Sequence, residues 1–298
     1  MNVNILEVGP RDGLQNERLQ VPTSSKLEFI KFLADAGLGS IEATSFVSSK
    51  WVPQLGDAEE LWPQLGEINA VFSALVPNKR GLDRALEVGV SRIALFTAAS
   101  DAFTQRNINM TVAESLAAFQ EVVDEFRAKE PRGWIRGYVS TAFECPYAGK
   151  IDPRATISVA EQLLKMGVDE VSLGDTIGVA VPAEVRSLTN DLIKSVDVKV
   201  VNYHFHDTRG TAIANVAEAL SLGVRSFDSS AGGLGGCPYA PGAGGNLATE
   251  DLVYFLERTG IPTGVDLEKL ARASLKVFEI IGRQPTAKAQ LATLAVRP

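Results

Sequence analysis

Short apolar or β-branched segments alternate along the chain with longer segments in which apolar residues recur every three or four positions. Eight short segments are predicted to be strands, at positions 4–8, 40–44, 69–75, 92–96, 135–141, 170–173, 198–206 and 226–229. Amphipathic helices are predicted between them, at positions 26–36, 112–129, 156–166, 183–193 and 213–222. Helices should end before Gly37, Gly89, Gly167 and Gly223, because glycine readily adopts the left-handed conformation that follows a helix. The repeating order is strand, helix, glycine, strand.

This order predicts an α/β fold built as a single (β/α)8 TIM barrel. Alternating strands and helices imply right-handed crossovers and a parallel sheet, and eight such units are the number that closes a barrel. The alternative is a doubly wound open sheet, which would normally carry a nucleotide-binding glycine turn. Neither G-x-G-x-x-G nor G-x-x-x-x-G-K-[ST] occurs in the chain. Residues 1–264 are assigned to the catalytic barrel, and 265–298, with a helix over 267–281, to a C-terminal helical extension packed on the same domain.

Composition narrows the class of protein. The chain has 298 residues, of which 45% are hydrophobic and 22% charged, as in globular proteins. It lacks an apolar segment long enough to span a membrane, and its start has neither the basic nor the apolar part of a leader peptide, so we expect a cytoplasmic protein. The net charge of −7 argues against nucleic-acid binding, although a locally basic cleft could still bind an anionic substrate. We expect a homodimer or another homo-oligomer.

Polar residues gather where the predicted strands end, which is where barrel enzymes carry their catalytic groups. The residues so placed are Arg11 and Asp12 after the first strand, Glu42 near the end of the second, Asp175 after the sixth, His204 and His206 at the end of the seventh, and Cys237 and Asn246 after the eighth. The chain has only two histidines. Because side chains alternate along a strand, His204 and His206 should share one face. The alternative is a pair of core histidines bonded to backbone.

A metal site follows if Asp12 and Asn246 converge with the two histidines. The first, seventh and eighth strands become neighbours when a barrel closes, so convergence is expected. Two imidazoles, a carboxylate and an amide oxygen, with no thiolate, fit Mg²⁺ or Mn²⁺. Zinc is the competing ion, because a tetrahedral site of two histidines and one aspartate uses the same ligand types.

The segment 229–246 is the most unusual in composition, with seven glycines between Gly232 and Gly245 and Cys237 in its middle. Such a segment can be a plain surface connection, but its place at the expected active-site rim favours a functional loop. Cys145 also lies in a Cys-Pro-Tyr sequence after a strand, the fifth. A buried, inert thiol is the usual state of a lone cysteine, and the residue pattern leaves both cysteines open as the reactive one.

Five segments resemble the 3-hydroxy-3-methylglutaryl-CoA lyase family, and the likeness extends over roughly residues 3–265. The segments are VGPRDGLQNE at 8–17, IEATSFVSSKWVPQ at 41–54, SLGDTIGV at 172–179, HFHDTRG at 204–210 and AGGLGGCPYAPGAGGNLATEDLVYFLE at 231–257. The Arg-Asp pair and the His-x-His also occur in a wider superfamily of barrels that includes isopropylmalate and homocitrate synthases and related aldolases. The glycine-rich cysteine segment is the more specific feature.

The resemblance implies roles for individual residues. Asp12, His204, His206 and Asn246 would bind the divalent cation. Arg11 would face the thioester carbonyl, and Gln15 would lie near the substrate hydroxyl. Cys237, rather than Cys145, would be the catalytic cysteine, and Glu42 and Asp175 match further acidic positions of the family. The implied reaction is cleavage of (S)-3-hydroxy-3-methylglutaryl-CoA to acetyl-CoA and acetoacetate, as in leucine degradation and ketone-body formation, by a bacterial-type cytoplasmic enzyme.

Three other functions remain in view. One is a lyase for a longer branched 3-hydroxyglutaryl-CoA, since the sequence does not size the acyl pocket. Another is a Claisen-condensing acyltransferase of the same superfamily, although such enzymes usually carry a long C-terminal regulatory region. The third is an inactive metal-binding or scaffold barrel, which is disfavoured because every expected functional position is filled.

Overall fold

The computed structural model describes residues 2–236 and 245–295. Eight parallel strands form a closed barrel in the order β1-β10-β9-β8-β5-β4-β3-β2, which confirms the predicted TIM barrel. The barrel strands are β1 (Asn4–Glu7), β2 (Ser40–Ser45), β3 (Val71–Leu75), β4 (Arg92–Ala98), β5 (Trp134–Ser140), β8 (Glu170–Asp175), β9 (Val201–Phe205) and β10 (Ser226–Ser229). The numbers six and seven belong to a short antiparallel hairpin, β6 (Glu144–Cys145) and β7 (Gly149–Lys150).

Helices surround the barrel and bury their apolar faces against it. They are α1 (Thr23–Asp35), α2 (Ala58–Leu61), α3 (Lys79–Glu87), α4 (Asp101–Ile108), α5 (Val112–Lys129), α6 (Pro153–Met166), α7 (Pro182–Leu192), α8 (Ala212–Ser221), α9 (Thr249–Arg258), α10 (Leu267–Ala273), α11 (Leu275–Ile281) and α12 (Lys288–Ala295). The four glycines expected after helices all have positive φ, from 80° at Gly89 to 103° at Gly167. Within the described part of the chain, no helix is long and apolar enough to cross a membrane.

Several predicted elements begin or divide at other residues than predicted, and two of them show why. The strand predicted over 198–206 begins only at Val201, because Val198–Val200 form a 3-10 turn whose Lys199 N–H donates to the Asp197 carboxylate. The single helix predicted over 267–281 is two helices that meet at Ser274. Apolar periodicity continues across both breaks, so it could not locate them.

The helices after residue 264 lie against the barrel's outer layer. Helix α10 contacts α1 and α9, and α12 contacts α9 and α10. The buried side chain of Gln290 donates to Ala271 O at 2.7 Å and to Ser274 Oγ at 2.8 Å. These contacts place the segment beside the start and the end of the barrel, and its assignment to the barrel domain stays a prediction.

Candidate metal centre

A wide turn follows β1 and carries the first two predicted site residues. Gly9–Gly13 form a short π-helix, in which the N–H groups of Asp12 and Gly13 both donate to Val8 O, at 2.7 and 3.1 Å. Glycine is required at position 13, because a Cβ there would lie 2.8 Å from Ser230 Oγ and 2.9 Å from the Leu234 side chain. π-Helical turns are rare and are frequent at functional sites. This turn places Arg11 and Asp12 together at the C-terminal end of the barrel.

Arg11 is held between two carboxylates. Its Nη1 donates to Asp12 Oδ1 at 2.6 Å and its Nε donates to Glu42, whose second oxygen accepts from Tyr138 OH at 3.1 Å. Burial alone would lower the pKa of Arg11, but Glu42 and Asp12 raise it well above its ordinary value. No acceptor among the described residues pairs with Nη2. The guanidinium is therefore charged, fixed in orientation, and has one nitrogen left to bind a ligand.

The two histidines face the barrel interior and each other. His204 lies in β9 and His206 directly follows it, and their Nε2 atoms are 3.2 Å apart. His204 Nε2 is 3.9 Å from Asp12 Oδ2, and the possible ligand atoms of all three residues lie within 4.8 Å of one another. Neither ring bonds to backbone among the described residues, and the buried Nδ1 of His206 has no partner there. This arrangement is that of a possible metal site rather than of core histidines.

Asn246 and Gln15 both contact Asp12, but through their amide nitrogens. Asn246 Nδ2 donates to Asp12 Oδ2 at 2.8 Å and to Leu234 O at 3.1 Å, and Gln15 Nε2 lies 3.1 Å from Asp12 Oδ1. The buried Oδ1 of Asn246 has no partner in the described ranges. The predicted fourth ligand thus lies beside the site, with its amide oxygen unpaired.

The electrostatics of Asp12 and His206 suit a cation. Burial would raise the pKa of Asp12, but Arg11, both histidines and the Asn246 hydrogen bond lower it to about 2. Burial and the neighbouring His204 lower the pKa of His206 to about 4. An ionised carboxylate and a neutral imidazole are the states that bind metals. With an orphaned amide oxygen and two imidazole nitrogens turned towards each other, the donor set fits a divalent cation.

The chain is similar to known proteins over nearly its whole length. The HMGL-like family model matches residues 2–277. The chain belongs to the HMGL-like family. It is 47% identical over 292 residues to the mitochondrial hydroxymethylglutaryl-CoA lyase of Bos taurus, covering 98% of this chain and 89% of the relative. It is 46% identical over 294 residues to the hydroxymethylglutaryl-CoA lyase of Pseudomonas mevalonii, covering 98% and 97%.

A solved member of the family has the same fold. The structure of an HMG-CoA lyase from Acinetobacter baumannii in complex with coenzyme A and 3-methylmalate is 38% identical to this chain. It superposes with a TM-score of 0.92 and covers 100% of this chain and 97% of its own. The barrel described above is therefore the family's fold over its whole length.

Asp175, unlike Glu42, makes no contact with the cluster of Arg11, Asp12 and the two histidines among the described residues of this chain. It is the last residue of β8, and its carboxylate accepts from Val179 N at 2.9 Å and Ala180 N at 3.0 Å. Burial raises the pKa of Asp175 to about 6, against the lowering effect of those two hydrogen bonds. The geometry assigns Asp175 to the turn after β8, and its catalytic role stays a prediction.

The two cysteines lie in different settings. Cys237 is outside the described residues. Cys145 lies in β6, is 1% exposed, and its Sγ accepts from Ser100 Oγ at 3.1 Å and from Tyr147 N at 3.4 Å. A thiol so enclosed has no path to a substrate at the barrel rim. This burial supports the choice of Cys237 as the reactive cysteine.

The flanks of the glycine-rich segment pack so tightly that some positions have no room for a side chain. A Cβ on Gly245 would lie 2.0 Å from Gly233 O, and one on Gly235, whose φ is +116°, would lie 2.6 Å from Asn246 Nδ2. Glycine at these positions lets the two flanks meet beside Asn246. The glycines nearest Asn246 are therefore needed for close packing.

Two buried glutamates beneath this segment were not among the predicted site residues. Glu7 accepts from Gly9 N at 2.7 Å, Ala231 N at 2.9 Å and Thr249 Oγ1 at 2.6 Å, and burial raises its pKa to about 7. Glu250 accepts from Gly232 N at 2.7 Å, and burial raises its pKa to about 8. Glu7 thus bonds the start of the glycine-rich segment to β1, and Glu250 bonds it to α9. For Glu7 the signal was available, because it is a charged residue inside a predicted strand.

Proposed function

We propose that this chain is a divalent-metal-dependent carbon–carbon lyase that cleaves 3-hydroxy-3-methylglutaryl-CoA to acetyl-CoA and acetoacetate. The observation that carries the proposal is the convergence of Arg11, Asp12, His204 and His206 at one end of the barrel, in a chain of the HMGL-like family. Two relatives named for this activity match nearly its whole length. The coenzyme A bound in the solved relative supports an acyl-CoA substrate.

We assign the cation to Mg²⁺ or Mn²⁺, held by Asp12, His204 and His206, with Asn246 as a further ligand. The ligand types favour a hard ion with open coordination positions, and zinc remains the competing ion. When bound, the cation would supply the positive charge that lowers the pKa of the substrate hydroxyl, the proton that must leave first.

The bond between C2 and C3 breaks once that hydroxyl proton is removed. The alkoxide electrons form the new carbonyl of acetoacetate, and the electrons of the broken bond move to C2 and the thioester oxygen of the departing acetyl-CoA enolate. Arg11 is the group proposed to stabilise that oxygen. Its fixed orientation between Glu42 and Asp12 supports this role, because preorganised donors stabilise a developing charge without rearrangement.

Asp12 is the proposed base for the hydroxyl proton. Its pKa of about 2 keeps it ionised, as a base must be, but makes it a weak base towards an ordinary alcohol. Proton transfer to Asp12 therefore depends on the hydroxyl being acidified first. Gln15 is proposed to bind the hydroxyl side of the substrate, and its contact with Asp12 Oδ1 supports this role.

Cys237 is proposed to protonate C2 of the enolate, which completes acetyl-CoA. The enclosed setting of Cys145 supports this choice, and Glu42 contributes by holding Arg11. Asp175 is proposed to act through the turn after β8 rather than on the substrate. We also propose a homo-oligomeric state, a cytoplasmic location and a role in leucine degradation. Several matched relatives are named as mitochondrial and others as cytoplasmic.

Incubation of pure protein with Mg²⁺ and 3-hydroxy-3-methylglutaryl-CoA tests the proposal, with release of acetyl-CoA as the readout. A parallel reaction with a longer branched 3-hydroxyglutaryl-CoA distinguishes the two lyase activities by their kcat/KM. A third reaction supplies acetyl-CoA and a keto acid, and a condensed product there would instead indicate the acyltransferase. If neither thioester releases acetyl-CoA, the proposed lyase activity is refuted.

A further inference from the structure

A buried arginine lies inside the barrel beneath the candidate metal centre. Arg136 in β5 and Asp228 in β10 are each 1% exposed, and Arg136 Nη1 donates to Asp228 Oδ1 at 2.5 Å. On its other side, Arg136 Nε donates to Glu170 Oε2 at 2.8 Å. The guanidinium therefore bridges two carboxylates. Of these, only Asp228 also contacts a residue of the candidate metal centre.

Asp228 connects this buried pair to His204. The two residues are direct partners across β10 and β9, and Asp228 Oδ2 lies 3.1 Å from His204 Nδ1. The same oxygen lies 3.0 Å from Ser172 Oγ. A carboxylate paired with arginine only accepts hydrogen bonds, so the proton in the contact must belong to the histidine. Nδ1 is then the protonated nitrogen of His204.

This assignment decides which nitrogen of His204 can bind a cation. With its proton on Nδ1, a neutral His204 keeps the Nε2 lone pair free, and Nε2 is the atom that faces His206 and Asp12. Metal-binding histidines usually donate their other ring N–H to a carboxylate, which fixes the tautomer and the orientation of the ring. Asp228 contacts neither Arg11 nor Asp12 through a hydrogen bond or ion pair within the described ranges.

We propose that Asp228 is a positioning residue that fixes His204 as the tautomer able to bind metal, and that Arg136 fixes the orientation of Asp228. The inference rests on the proposed metal site, but the tautomer of His204 is measurable without metal or substrate. Neither Asp228 nor Arg136 is among the site residues predicted from the sequence. Both are charged residues within predicted strands, which is the signal that marks them.

The role of Arg136 makes the Asp228→Asn variant informative. Arg136 donates to one oxygen of residue 228, so the asparagine should turn its only oxygen to the guanidinium. Its NH₂ group then faces Ser172 Oγ and His204 Nδ1, both of which can accept. His204 must accept at Nδ1 and carry its proton on Nε2. A nearly isosteric change should therefore reverse the tautomer and block the nitrogen that faces the metal centre.

Two-bond ¹H–¹⁵N NMR of the imidazoles reads the tautomer directly. The chain has only two histidines, so the His206→Gln variant assigns both patterns. Chelator-treated protein is measured at a pH above the titration of both rings. We expect the Nδ1–H pattern for His204 in the wild type and the Nε2–H pattern in Asp228→Asn. An Nε2–H pattern in the wild type would overturn the proposal without any variant having to fold.

Glu170→Gln is the matched control, because it alters the other buried carboxylate on the same arginine and leaves the Asp228–His204 contact in place. It should keep the Nδ1–H pattern and a Mn²⁺ affinity close to that of the wild type. Asp228→Asn should weaken Mn²⁺ binding by about 10- to 100-fold, measured by calorimetry. Equal losses in both variants, or unchanged affinity in Asp228→Asn, would contradict the positioning role. A correct tautomer with no lyase activity would refute the proposed function alone.

Discussion

The barrel interior has two layers that differ in whether their buried polar groups have partners. In the lower layer, Arg136 is matched by Glu170 and Asp228, and each of the three has a partner. In the upper layer, His206 Nδ1 and Asn246 Oδ1 are buried without partners among the described residues. Buried polar groups are normally paired, and these two unpaired atoms belong to residues beside the possible metal ligands. The difference separates a layer that supports the fold from one arranged to bind a ligand.

Substitutions in the two layers should therefore affect different properties of the protein. Substitutions of the histidines in the upper layer should lower metal affinity and leave the fold intact, since these rim residues contribute little apolar burial. Substitutions in the lower layer should destabilise the protein, because they leave a buried charge without its partner. The predictions below test this division.

Arg11→Gln should have the largest effect on activity. Glutamine cannot supply the charge proposed to stabilise the enolate oxygen, so kcat should fall by at least about 10²- to 10³-fold, with only a modest rise in KM. Steady-state kinetics of acetyl-CoA release provides both constants. A change in KM alone would make Arg11 a simple substrate anchor.

Cys237→Ser should also lower kcat strongly, whereas Cys145→Ser should have a mild effect. A serine hydroxyl is a much weaker acid than a thiol, so it keeps the shape and loses the proton donor. Mass mapping after a thiol reagent should locate the inactivating adduct on Cys237, with protection by substrate. An adduct on the enclosed Cys145, or normal turnover by Cys237→Ser, would remove the proposed proton donor.

Arg136→Met should destabilise the protein by about 3 to 5 kcal/mol, because Asp228 and Glu170 lose their shared cation in a buried setting. His206→Ala should instead weaken Mn²⁺ binding while its free energy of unfolding stays near that of the wild type. Denaturant unfolding and calorimetric titration on both variants provide the comparison. If His206→Ala is strongly destabilised while its folded form retains the metal affinity of the wild type, the core-histidine interpretation is right and the two layers do not differ.

The last prediction concerns the pH dependence of stability. Burial raises the pKa of Glu250 from 4.5 to about 8, so the folded state binds its proton more tightly than the unfolded state does. That stabilisation is present below pH 4.5 and is lost as the pH rises towards 8, by at most about 1.4 kcal/mol per pH unit. Glu250→Gln cannot ionise, so its stability relative to the wild type should increase over this range. A pH-independent difference would contradict the raised pKa.

The sequence predicted the barrel and the convergence of Asp12 with the two histidines because both follow from local patterns. Helix α5 has the bounds that its periodicity predicts, and the His-x-His spacing turns both rings to one face. The contacts made by Asp175 and Asp228 could not be predicted in the same way. Asp175 accepts from backbone groups whose position depends on the turn after β8, and Asp228 meets His204 only through strand register.

The central claim is that the upper layer binds a divalent cation on which cleavage depends. The most direct test is acetyl-CoA release from 3-hydroxy-3-methylglutaryl-CoA by chelator-stripped protein, before and after titration with Mg²⁺ or Mn²⁺. Stripped protein should be inactive, and either ion should restore activity in proportion to its occupancy of one site per chain. Full activity in protein shown by elemental analysis to be metal-free would contradict the account.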